Sequence, residues 1–116
     1  MYYIFIQIII CICSAYYYVS EPELPRRPTV IDLADRTCIP CKKMAPILES
    51  LSFEYRGKAS VLFIDVHEDK AAAQKFRVQM IPTQSFFNTQ GKEVKRHIGF
   101  MNKSEIVKEL KSLGLK

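Results

Sequence analysis

The chain has 116 residues, 48% hydrophobic and 25% charged, enough for one small domain with one core and too few for a second. Its formal charge of +5 comes from scattered Lys and Arg, without a clustered basic helix or an aromatic RNA-binding signature. Nucleic acid is therefore not an expected partner.

Residues 1–20 carry no charged side chain, and the stretch 2–19 is rich in isoleucine, from Ile4 to Ile12. At about 1.5 Å per residue it is just long enough for a hydrocarbon core of about 30 Å. Tyr2 and Tyr3 at one end and Tyr16, Tyr17 and Tyr18 at the other suit the membrane interface. Two readings stand: an uncleaved transmembrane anchor, or a signal peptide cut after Ala15. Residues 21–28, Glu-Pro-Glu-Leu-Pro-Arg-Arg-Pro, hold three prolines and read as a linker. Arg26 and Arg27 would draw the following part to the cytoplasm by the positive-inside rule.

The folded part is expected over 29–116. Thr29-Val30-Ile31-Asp32-Leu33-Ala34 predicts a strand, apolar but for Asp32 and its first residue, and it leads into Cys38-Ile39-Pro40-Cys41. A helix follows over 39–56, ending near Gly57, with Met44, Ile47, Leu48 and Leu51 on one stripe and a kink expected at Pro46. Two thiols with two residues between them at a helix start are built for redox chemistry. Unpaired N–H groups and the helix dipole favour a thiolate at Cys38, helped by Arg36, Lys42 and Lys43 and opposed by Asp35. Cys41, a turn deeper, is the resolving thiol.

A strand over 60–66 and a helix over 68–76 come next. Ile81-Pro82-Thr83 stands before a strand over 84–88, where proline belongs at a strand start or in a cis bond. After Gly91, a strand over 93–98 and Gly99 precede a helix over 103–113. Asn102 with Glu105 forms its capping-box pair, and Ile106, Leu110 and Leu113 form its stripe.

These spaced features, the aspartate-bearing strand, C-x-P-C with the later Pro46, Ile-Pro-Thr, Gly91 and Gly99, resemble the thioredoxin family over roughly residues 29–116. The resemblance implies an α/β, three-layer fold with a central mixed sheet in the minimal order βαβαββα. It implies a thiol–disulfide oxidoreductase whose redox group is the Cys38–Cys41 disulfide, without a separate cofactor or metal. Asp32 matches the family's buried acid, and desolvation should raise its pKa so that it can take the proton of Cys41. The lysine that family members place near that acid aligns with Val61. Pro82 matches the cis-proline facing the cysteines, with the Ile81 backbone free to pair with an extended client. Thr37, where the family usually has tryptophan, and Ile39 complete the expected client-binding residues.

Ile39-Pro40 has no histidine or charge and is similar to the Gly-Pro of reducing thioredoxins, so protein-disulfide reduction is the expected direction. Disulfide oxidation or isomerisation is the alternative. The implied partners are disulfide-containing clients and an electron donor, either a membrane carrier or a thioredoxin reductase. The implied location is that of membrane-tethered or exported bacterial members, outside the inner membrane. A non-enzymatic alternative is soft-metal carriage, with Cys38, Cys41 and Met44 on Cu(I), or His67 and His97 joining the thiols around zinc.

Overall fold

The computed structural model describes residues 26–116. The expected leader and most of the linker lie outside the described residues. Among the described residues no helix is long and apolar enough to cross a membrane. The elements run β1 (Thr29–Ala34), α1 (Ile39–Glu54), β2 (Ser60–Asp65), α2 (Lys70–Lys75), β3 (Thr83–Phe87), β4 (Glu93–Ile98) and α3 (Lys103–Ser112). That is the βαβαββα order read from the sequence, with helix ends drawn in by a residue or two.

The four strands form one mixed sheet in the order β2-β1-β3-β4. β1 pairs in parallel with β2 and antiparallel with β3, and β3 pairs antiparallel with β4. All six residues of β1 are buried, as expected of an interior strand covered on both faces. Val30 and Phe86 project from one face into a core with Met44, Leu48 and Leu51 of α1 and Ile106 and Leu110 of α3. Fully burying each of the larger side chains contributes about 1.5–3 kcal/mol. On the opposite face Phe87 meets Phe76, which caps α2, edge to face at 6.3 Å, so helices lie on both sides of the sheet.

α1 is helical from Ile39 to Glu54 through Pro46, which cannot donate to the Lys42 carbonyl. Its stripe of Cys41, Met44, Leu48 and Leu51 faces the sheet. The capping box of α3 is present: Glu105 N–H donates to Asn102 Oδ1 at 2.9 Å, and Asn102 N–H donates to Glu105 Oε1 at 3.1 Å. Lys103 ties the start of α3 to Glu54 at the end of α1. β2 pairs only with β1 among the described residues, and Leu62 and Phe63 on it remain exposed.

Candidate functional site

β1 lies inside the sheet, and its carboxyl end delivers the chain through Asp35-Arg36-Thr37 to Cys38. Cys38 is the N-cap of α1, in extended conformation, and its carbonyl accepts the Lys42 N–H at 2.9 Å. Pro40 sits in the first turn, where a missing N–H leaves no helical bond unmade. Cys38 and Cys41 are joined in a disulfide with their Cα atoms 5.1 Å apart. Cys38 is half-buried and Cys41 only 4% exposed. The Cys41 N–H points at Cys38 Sγ at 3.1 Å. That backbone donor and the dipole of a four-turn helix favour negative charge on Cys38 once the bond is reduced. Lys42 and Lys43 are solvent-exposed, whereas Arg36 lies over the Phe63 ring at 5.3 Å and 3.8 Å from Asp65.

Asp35, expected to oppose a thiolate, is occupied in another way. Its Oδ1 accepts the N–H groups of Thr37 at 2.8 Å and Cys38 at 2.9 Å and the Thr37 hydroxyl at 3.1 Å. Its Oδ2 lies 2.7 Å from His67 Nε2. The backbone donors, led by Thr37 and Cys38, hold its pKa below the ordinary value, so the charge is spent on fixing the loop before the disulfide. Thr37 is exposed but its hydroxyl is committed to this turn.

Asp32, at the middle of β1, is 1% exposed. Burial raises its pKa to about 6, opposed in part by a hydrogen bond that Gln84 Nε2 donates to Oδ1 at 3.2 Å. Oδ2 is buried without a partner among the described residues. Asp32 and Cys41 line one cavity of about 500 Å³ with Leu48, Val61 and Phe63, open beside the β2 edge. The register partner of Asp32 on β2 is Phe63, not Val61, which stands two residues earlier. The position beside the acid is thus held by an aromatic ring, and no cation from β2 offsets its desolvation.

The Ile81–Pro82 bond is cis, with Pro82 fully buried and Ile81 half-buried just before β3. The Pro82 carbonyl accepts the Gly99 N–H at 2.8 Å, and the Thr83 hydroxyl donates to the Met80 carbonyl at 2.6 Å. Gly99 has φ +106°, a conformation few other residues adopt, which lets β4 turn at this contact. Ile39 between the two cysteines and Met80 just before the cis bond are exposed apolar side chains, as are Ile98 and Phe100 on either side of Gly99.

Three features of the site were not anticipated from the sequence. The first is Gln84, fully buried, which bridges Asp32 to His97 Nδ1 at 2.8 Å from its Oε1. A warning was present in Thr83-Gln84-Ser85, three polar residues opening a strand that the topology buries. The second is the Asp35–His67 pair, and the third is Phe63 beside Asp32. The alternative zinc set of His67 and His97 with the thiols is not assembled: His97 is engaged by Gln84, and among the described residues the one group of three or more potential ligands within 4.8 Å of one another is Asp35, Cys38 and Cys41.

The thioredoxin family profile matches residues 17–112. The chain is 38% identical over 81 residues to a thioredoxin of Staphylococcus aureus, covering 70% of this chain and 77% of that protein. A thioredoxin of Staphylococcus haemolyticus is 40% identical over the same shares. A solved structure titled "Structure of a malarial protein" superposes with a TM-score of 0.69 at 18% identity, over 77% of this chain and 99% of that one, a likeness of fold.

Proposed function

Because the chain belongs to the thioredoxin family and is a thiol–disulfide oxidoreductase, we propose that it works as a reductase of protein disulfides, with Cys38 as nucleophile and Cys41 as resolving thiol. The observation that carries this reading is the Cys38–Cys41 pair at the α1 N-terminus, half-exposed outside and buried inside. In the reduced protein the Cys38 thiolate attacks one sulfur of a client disulfide, forming a mixed disulfide and releasing the other client sulfur as a thiolate. Asp32 then takes the proton of Cys41, whose thiolate attacks the Cys38 sulfur. The second client thiol leaves, and the Cys38–Cys41 disulfide remains. Two electrons from a donor, a membrane carrier or a thioredoxin reductase, restore the dithiol.

Exposed apolar Ile39 between the thiols and Met80 before the cis bond support docking of an unfolded or extended client segment, with the Ile81 backbone available beside Pro82. Ile39-Pro40 between the thiols supplies no charge that would stabilise the reduced form strongly, which favours a reducing couple. Equilibration of the full-length chain against glutathione tests the direction. A potential near that of thioredoxin, about −270 mV, supports reduction; one near the strong oxidant DsbA, about −120 mV, reverses it.

We place the domain outside the bacterial inner membrane, tethered or exported by the apolar stretch 2–19. Fractionation of full-length protein should find it on carbonate-washed membranes, with residues 29–116 open to protease added outside spheroplasts. A mature N-terminus at Tyr16 replaces the tether with a cleaved signal, and a protease-protected domain puts it in the cytoplasm.

A further inference from the structure

Asp32, Gln84 and His97 stand in register across three adjacent strands, β1, β3 and β4, with Asp32 opposite Gln84 and Gln84 opposite His97. Their side chains are joined in single file on the face that carries α1 and α3. Gln84 is fully buried, and both ends of its amide are used, Nε2 on Asp32 and Oε1 on His97. Carboxamide placement in a core is costly unless each polar atom is paired, and here both pairings exist.

The direction of the file follows from donor and acceptor chemistry. A carboxylate can only accept, so the NH₂ end of Gln84 must face Asp32 and the carbonyl end must face His97. His97 then has to present an N–H at Nδ1. A reversed amide would set its oxygen against the carboxylate and its NH₂ against the imidazole proton. His97, in the form with a proton on Nδ1, thus holds the amide in this direction from the outer strand. The consequence at Asp32 is asymmetric, since Oδ1 holds the Gln84 donor and Oδ2 has no partner among the described residues.

We propose that Gln84, oriented by His97, is a positioning residue that anchors Oδ1 of Asp32 and leaves Oδ2 as the oxygen that takes the Cys41 proton. This rests on the reading of Asp32 as proton acceptor, and it extends that site across the sheet to a half-buried histidine two strands away. Without the amide, the carboxyl would rotate freely in an apolar wall formed partly by Phe63 and would bind its proton more tightly.

The titratable and charged groups around Asp32 are Cys41 and Glu49 of α1, Asp35 and Arg36 of the loop, and His97 through Gln84. In the oxidised chain Cys41 does not titrate, so isotope-edited infrared titration of oxidised full-length protein, with Asp32→Asn as the subtraction reference, follows the Asp32 carboxyl without depending on turnover. Gln84→Leu should tighten its proton about tenfold, the scale of one lost hydrogen bond to a carboxylate. His97→Ala should tighten it less, because the amide stays but is freed to turn. His97→Asn restores the wild-type midpoint, since its carboxamide N–H takes the place of Nδ1–H. The pH profile of Cys41-dependent release from the Cys38 mixed disulfide should move with each midpoint. An unmoved midpoint in Gln84→Leu, or identical midpoints in His97→Ala and His97→Asn, overturns the positioning role. Midpoints that move while the release profile stays put overturn Asp32 as the acceptor instead.

Discussion

Asp32 and Asp35 lie three residues apart and both are nearly shut off from solvent, at 1% and 6% exposure, yet their proton affinities move in opposite directions. Asp32 is inside a strand, where the backbone N–H groups are consumed by the sheet ladder and only a distant amide reaches it. Asp35 is on a turn, where two backbone N–H groups and a hydroxyl converge on one oxygen. Desolvation therefore prevails at Asp32, deep in the sheet with a single amide donor, and backbone donors prevail at Asp35, which is covered but near the surface. The strand carboxyl is left able to exchange a proton near neutral pH, while the loop carboxyl is a fixed charge that shapes the approach to Cys38.

If this division holds, removing the strand carboxyl has the largest effect. Asp32→Asn should slow mixed-disulfide resolution near neutral pH by about 10²-fold, the lower end of what a positioned base contributes. Single-turnover rates over pH 6–9 check it, and equal rates in wild type and variant remove Asp32 from the chemistry.

The same group leaves a mark on stability. Its folded pKa, about 6, lies above the ordinary 3.8, so the folded state holds the proton more tightly than the unfolded chain. Stability linked to Asp32 is fully present below about pH 3.8, declines as pH rises through about 6, and is then gone, a difference on the order of 3 kcal/mol. Denaturant melts of the oxidised protein should show this decline, and Asp32→Asn should flatten it. A variant curve as steep as wild type would place the effect in another group.

Supplying the strand acid with a cation should make it behave more like its neighbour. Phe63 is its register partner and is partly exposed, so Phe63→Lys can deliver a charge without emptying the core. The Asp32 midpoint should fall by about one pH unit or more, read by the infrared titration described above. No movement would mean that the lysine turns to solvent.

Asp35→Asn should act in the other direction and more weakly. Its ionised form is stabilised in the fold, so its contribution is present above the ordinary carboxyl value and is lost as pH falls through its lower folded pKa. The variant should melt at a slightly lower temperature at pH 7 and converge with wild type in acid. Removing His67 instead should change little, because that ring is 69% exposed.

Much of the site was legible because it is local. Cys38-Ile39-Pro40-Cys41 carries its own helix start, the Asp32 run its own strand, and Asn102 with Glu105 its own cap. What was not legible depends on register, which periodicity does not set. That Asp32 stands opposite Phe63, with Val61 two residues earlier on the same face of β2, follows from the strand register alone. The Asp32–Gln84 and Gln84–His97 contacts span 52 and 13 residues, and only the order β1-β3-β4 brings them into line. His67 reads as an exposed strand-end histidine until the loop after β2 is seen to lie against the loop after β1.

Trapping of a client tests the division of labour between the two thiols most directly. Full-length Cys41→Ser, reduced and mixed with a disulfide-bonded client, should accumulate a mixed disulfide through Cys38 detectable by intact mass, while Cys38→Ser should accumulate none and should have lost reductase turnover. Trapping by Cys38→Ser alone would make Cys41 the attacking thiol and contradict the account.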